Sequence, residues 1–204
     1  MSTPEPENLY DRIRQRYLEH NVPWDHTLPP PEVLALVGAH RPGRMLDLGC
    51  GYGRACLYLA DHGWRCDGVD FVPEAVQGAQ TRADALDLAS RVRFFHADVS
   101  AVDFLTEPYD LILDVGCLHA QPQDVRARYA GHVRRLLRPG GVFLLFAHLN
   151  DGATPERRRW VTRQTLEALF ADAFSFDRIE LGTTTVGEDT WPSAWFWLRR
   201  ASSV

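Results

Sequence analysis

Residues 47–53 read Asp47-Leu48-Gly49-Cys50-Gly51-Tyr52-Gly53. Glycines at every second position let a backbone turn through positive φ and let a ligand approach it closely. The stretch lies between a short apolar run and a helical pattern, where open α/β sheets bind their ligands. A dinucleotide fingerprint spaces its glycines G-x-G-x-x-G. Counted from Gly49, the third position of that fingerprint is Arg54, and the spacing here is G-x-G-x-G. Asp47 would repel a pyrophosphate but would suit a ligand bearing an ammonium and a sulfonium. Alone, the glycines fit a plain strand-to-helix turn equally well.

Three further acids stand where strands are expected to end. Asp70 closes the run 65–69, and a carboxylate there can accept both hydroxyls of a ribose. Phe71 follows and can pack on an adenine face. Asp98, after Ala97, can accept from an adenine amino group. Asp114 ends Tyr109-Asp110-Leu111-Ile112-Leu113-Asp114. One such Asp is usually a cap or turn former. Four in phase with a glycine loop point to an adenosine-bearing ligand.

The elements that must position these groups alternate. Strands are expected at 45–48, 65–69, 91–96, 109–115 and 142–147. Helices are expected at 9–19, 32–39, 53–62, 73–86, 123–137 and 165–174. Strands alternating with helices make βαβ units with right-handed crossovers, hence a doubly wound α/β fold. Residues 176–185 and 193–200 read as a hairpin turning near Gly187, antiparallel to its neighbours. The chain is expected to be a single domain over 1–204, with a helical cap over 1–40 and a Rossmann-like core over 41–204.

These segments resemble the class I S-adenosylmethionine-dependent methyltransferases. The resemblance rests on D-x-G-x-G-x-G, Asp70, Ala97-Asp98, Tyr109–Asp114 and Leu137-Arg138-Pro139-Gly140-Gly141, and is strong over about residues 44–150. It implies a seven-stranded, mostly parallel sheet with an antiparallel C-terminal hairpin strand. It implies S-adenosylmethionine as cofactor and S-adenosylhomocysteine as product. Gly49, Gly51 and Gly53, with Cys50, would line the methionine part, and Asp47 would meet its amino group. Asp70 and Phe71 would hold the ribose and adenine, with Ala97, Asp98 and Val99 beyond. Val115, Gly116 and Cys117 would face the methionine and the transferred methyl.

Val22-Pro23-Trp24-Asp25 followed by Pro29-Pro30-Pro31 is similar to the entry segment of small thiopurine- and tellurite-type methyltransferases. Trp24 would then close over the cofactor and, with Asp25, meet the acceptor. As a large aromatic, Trp24 also fits a plain packing role. His119 follows the fourth strand at the expected place of chemistry. It is the first candidate base, and His148, after the fifth strand, is the second. Trp191, beside Pro192, is expected in the hairpin loop and facing the acceptor. Trp195 and Trp197 read as core. Cys117 reads as a pocket wall, because methyl transfer needs no enzyme thiolate.

Composition narrows the partners. The chain has 204 residues, a formal net charge of -5, and 22 basic residues that are all arginine. This removes lysine-based Schiff-base and P-loop chemistry. Excess negative charge disfavours nucleic acid. The four cysteines form no C-x-x-C pair, no cluster has metal-ligand spacing, and no metal is expected. No signal core or membrane span is legible, so the expected setting is cytoplasmic. A small molecule is the expected methyl acceptor, and nothing in the sequence sets the oligomeric state.

Overall fold

The computed structural model describes residues 8–155, 157–186 and 188–202. Strands β1 (Arg44–Leu48), β2 (Arg65–Asp70), β3 (Val92–His96), β4 (Tyr109–Val115), β5 (Leu137–His148), β6 (Phe174–Val186) and β7 (Asp189–Arg200) form one sheet. Among the described residues it has seven strands in the order β3-β2-β1-β4-β5-β7-β6. The first five strands pair in parallel, and β7 runs antiparallel to both β5 and β6. Strand order reverses between β1 and β4, so the sheet opens a crevice at their carboxyl ends.

Side chains along the central strands alternate between two buried clusters. Leu46, Ile112, Phe143 and Leu145 enter one; Met45, Leu111, Leu113 and Leu144 enter the other. Both faces are covered, which is why these strands read as continuous apolar runs. Helices α4 (Arg54–Asp61) and α5 (Pro73–Ala85) follow β1 and β2; α6 (Gln123–Leu136) and α7 (Arg163–Phe170) flank β5 in sequence. Leu59 of α4 lies in the second cluster, while Tyr129 and Phe170 lie in the first. No helix among the described residues is long and apolar enough to cross a membrane.

Helix α1 (Leu9–Leu18) lies against α5, held by the Arg14–Glu74 ion pair at 2.6 Å. Its Asn8 side chain caps the first turn by accepting from the Asp11 N–H at 2.8 Å. The helix expected over 32–39 is instead two short turns, α2 (Pro31–Leu34) and α3 (Leu36–Ala39), which bury Val33 and Leu36.

Other boundaries differ from expectation too: the helix expected over 165–174 ends at Phe170, and Phe174 already opens β6. Strand β5 opens at Leu137 rather than Val142, because Leu137 already pairs with Tyr109 before a shift in register. Trp191 is not in a hairpin loop: it lies within β7 and pairs with Thr184. The β6–β7 ladder is longer than the expected 193–200, running past Pro192 to the Val186–Asp189 pair. Gly187, where the turn was expected, lies outside the described residues. Trp195 and Trp197 pack on the core as expected, with Phe196 fully buried on the opposite face of the strand.

Candidate active site

The glycine loop spends its own backbone donors internally. The Gly49 and Cys50 N–H groups donate to the Val69 carbonyl at 2.8 and 3.0 Å. The Gly53 N–H donates to the Cys50 carbonyl at 2.9 Å, and the Gly51 N–H to the Asp70 carboxylate at 2.9 Å. A dinucleotide site leaves such donors open for a pyrophosphate. Here they are taken, and Arg54 is the first residue of α4.

Two glycines are required by contacts as well as by conformation. Gly49 has φ +79°, and a side chain there would meet the Cys117 Cβ at 2.8 Å. Gly51 has φ +54°, and its Cβ would stand 3.0 Å from the Tyr17 hydroxyl. The first contact joins the loop after β1 to the loop after β4. The second joins the loop to the cap.

Three carboxyl groups converge buried at this end of the sheet: Asp47, Asp70 and Asp114. Asp70 accepts from the Gly51 and Val72 N–H groups, both at 2.9 Å. Asp47 receives one hydrogen bond among the described residues, a 3.9 Å contact from the Cys56 thiol. Burial above all, then the charges of Asp114 and Asp70, pushes its pKa up to about 7, with Arg54 opposing. Buried Asp67 shows the contrast, being held by Arg44, Arg93 and the Tyr109 hydroxyl. Asp47 has no such ion pair among the described residues, only the distant charge of Arg54, and a cationic ligand would supply a closer one.

Asp114 does not face a ligand. One oxygen accepts from the Gly116 and Cys117 N–H groups at 3.0 and 2.7 Å. The other accepts from the Leu118 N–H at 2.8 Å and the Tyr129 hydroxyl at 2.6 Å. Burial raises its pKa to about 6 against those four donors. Asp114 therefore shapes the loop that carries Val115, Gly116, Cys117 and His119.

The remaining expected residues divide. Phe71 is half-buried with Tyr10 edge-on at 5.4 Å, and the Ala97 N–H donates to the Asp70 carbonyl at 3.0 Å. Val99 is buried, while Asp98 is exposed, with one oxygen accepting from the Ser100 N–H at 2.7 Å. Trp24 donates to the Tyr17 hydroxyl at 3.1 Å and so reaches the glycine loop through Tyr17. Both oxygens of Asp25 are held by Arg82 of α5, at 2.9 and 2.7 Å, so Asp25 latches the cap. It lines a separate cavity of about 630 Å³ with Leu28, Arg54 and Leu86.

His119, His148 and Trp191 do come together. The two imidazole centroids lie 4.4 Å apart, and Trp191 is 5.3 Å from His148. Trp160 joins them at 5.1 Å from His148 and 5.8 Å from His119. Burial, then His148 and Arg126, holds the His119 pKa well below the usual imidazole range. Burial lowers that of His148 to about 4. Both rings are neutral at physiological pH.

Sequence reasoning missed Tyr17, Tyr129, Trp160 and the anchoring role of Asp114. Both tyrosines lie in segments expected to be helical, 9–19 and 123–137. Their hydroxyl partners, Trp24 and Asp114, become visible only with the fold.

Residues 45–141 match the family described as "Methyltransferase domain". The chain is 31% identical over 147 residues to a 2-heptyl-1-hydroxyquinolin-4(1H)-one methyltransferase of Mycobacteroides abscessus. That match covers 68% of this chain and spans 64% of the relative's length. In structure the chain resembles a 1,6-didemethyltoxoflavin-N1-methyltransferase of Burkholderia thailandensis at TM-score 0.74 and 25% identity, covering 99% and 94% of the two chains. TehB of Haemophilus influenzae shares the fold at TM-score 0.74 and 18% identity, over 93% and 67% of the two chains. Sheet order, glycine loop and matched domain agree: the chain belongs to the class I S-adenosylmethionine-dependent methyltransferases.

Proposed function

We propose that this chain, acting as one domain capped by residues 1–40, transfers a methyl group from S-adenosylmethionine to the oxygen or sulfur of a small molecule. The observation that carries the reading is the buried Asp47 carboxyl at the crevice, without an ion pair among the described residues, on the same sheet edge as two neutral imidazoles. Asp47 would meet the cofactor's ammonium, Asp70 the ribose hydroxyls, and Phe71 and Asp98 the adenine. Gly49, Gly51, Gly53 and Cys50 would lie along the methionine part. The cofactor supplies an electrophilic methyl on a sulfonium when bound. Tyr17 and Trp24 close the cap over the loop and exclude water. Val115, Gly116 and Cys117 form the wall where acceptor and methyl align. Transfer to nitrogen is the second reading, favoured by the likeness to an N1-methyltransferase. A small acceptor without nucleic acid, in a cytoplasmic setting, fits the net negative charge and four free thiols.

His119 would act as the base. A depressed pKa keeps its imidazole unprotonated and also makes it a weak base. That suits an acidic hydroxyl or thiol better than an aliphatic alcohol. His119→Ala is expected to lower turnover about 100-fold while S-adenosylhomocysteine still binds. Titration calorimetry of both proteins with S-adenosylhomocysteine, NADH and NADPH, followed by product assay, tests the whole reading. Binding of S-adenosylhomocysteine alone, without methylated product from any acceptor, would leave a non-catalytic binding protein. Binding of a nicotinamide cofactor instead would overturn the assignment.

Asp47 makes the affinity pH-dependent. With its pKa near 7 in the free protein, the group is mostly protonated at pH 6 and ionised at pH 8. A cationic ligand needs the ionised form, so binding at pH 6 must first expel a proton. Affinity for S-adenosylhomocysteine should therefore be about tenfold weaker at pH 6 than at pH 8. Asp47→Asn should bind more weakly at both and show no such slope. An equal slope in the variant would assign it to another group.

A further inference from the structure

We propose that the rings of His119, His148, Trp160, Trp191 and Phe146 form the acceptor site. Its occupant is a flat heteroaromatic ring carrying an acidic hydroxyl with a hydrogen-bond acceptor beside it. The inference rests on the methyl-transfer reading above and narrows its acceptor.

Four stretches of chain bring these rings together. His119 follows β4, two residues after the Cys117 that approaches the glycine loop. Phe146 and His148 lie on β5, Trp160 between β5 and α7, and Trp191 on β7. Neighbouring centroids lie between the 4.4 Å of His119–His148 and the 5.9 Å of Trp160–Trp191. Such a wall favours a flat ring over an aliphatic chain or a sugar.

A cluster this aromatic could serve packing alone. Two polar atoms argue otherwise. His119 Nδ1 and Trp191 Nε1 are buried and have no hydrogen-bond partner. Each unmatched atom costs about 1–3 kcal/mol. In the core, Trp64 Nε1 is likewise unmatched, but here two such atoms share one ring cluster. Two unmatched nitrogens in one cluster, beside the methyl-transfer wall, mark partners that a ligand brings as the rings part to admit it.

The chemistry of those atoms selects the ligand. Trp191 Nε1–H is only a donor, so the ligand must present a carbonyl oxygen or ring nitrogen. His119, neutral, can accept at Nδ1, so the ligand must present an O–H acidic enough for a weak base. Charge selects further. Arg126 acts on His119, and Arg157 lies 5.5 Å over the Trp191 ring while pairing with Asp151. Among the described residues, no carboxylate hydrogen-bonds to these five rings. A neutral or anionic oxygen is favoured there over an ammonium.

The step balances on this chain's groups. The hydroxyl proton passes to His119 Nδ1. The oxygen lone pair forms the new O–C bond to the transferred methyl. The old bond from that methyl to sulfur breaks, and its electrons stay on sulfur. His119 then releases the proton to water.

The test uses protein saturated with S-adenosylhomocysteine and four probes: quinolin-8-ol, naphthalen-1-ol, 1-naphthylmethylamine and cyclohexanethiol. Calorimetry should show quinolin-8-ol binding at least tenfold tighter than naphthalen-1-ol, and the other two more weakly still. With S-adenosylmethionine, quinolin-8-ol should yield its O-methyl ether. Trp191→Phe keeps a ring but removes the N–H. It should erase the preference for quinolin-8-ol over naphthalen-1-ol and leave S-adenosylhomocysteine affinity within about twofold. Tighter binding of the amine or thiol, or an unchanged preference in Trp191→Phe, would overturn the inference and leave the methyl-transfer reading standing. Failure of wild-type protein to bind S-adenosylhomocysteine would sink both.

Discussion

Asp114→Ala should lower stability by about 4 kcal/mol, because breaking a buried, hydrogen-bonded charge network strands its partners. Three consecutive N–H groups, of Gly116, Cys117 and Leu118, and the Tyr129 hydroxyl would lose their shared acceptor. Asp114 is fully buried, so little water can replace it. At about 3 °C per kcal/mol for a chain of this size, the melting temperature should fall by about 12 °C. Tyr129→Phe removes one donor and leaves the carboxylate three, so its loss should be about 1–2 kcal/mol. Thermal denaturation followed by circular dichroism reads both. Function should suffer beyond stability, because the same loop sets His119 against His148. At a temperature where Asp114→Ala is still folded, turnover should remain depressed. A variant that melts within 2 °C of wild type would show that the loop holds its shape without the carboxylate.

Gly49→Ala should weaken S-adenosylhomocysteine binding at least 100-fold, about 2.7 kcal/mol, while the sheet persists. Two costs combine. A non-glycine residue at φ +79° carries about 1–3 kcal/mol of backbone strain. The new methyl would also sit 2.8 Å from the Cys117 Cβ, which must move. Either response displaces the two loops proposed to hold the methionine part. The added Cys117→Gly substitution removes the struck atom. The double variant should recover part of the affinity, the remainder being backbone strain. No recovery would mean that conformation alone carries the loss; no loss in Gly49→Ala would remove this loop from the cofactor site.

Much of this architecture was legible in short stretches of sequence. Buried parallel strands need apolar residues on both faces, so runs such as Leu111-Ile112-Leu113 announce themselves. The D-x-G-x-G-x-G turn and the acids at strand ends are local signals too, set by one element and the turn that follows it. What a side chain meets across the fold has no such signal. Asp114 looked like one more acid at a strand end, and became a loop anchor because Tyr129 of α6 reaches it. Asp25 looked like a substrate contact, and became a latch because Arg82 lies opposite on α5. Trp191 looked like a loop residue next to a proline, and became part of a long strand because β6 offers it a partner. Periodicity reports which face of an element is apolar, not which residue of a distant element that face will meet. The sequence by itself determined the sheet, the glycine loop and the chemistry available at its edge. Only tertiary packing decided which buried polar atoms found partners and which, at His119 and Trp191, were left waiting for one.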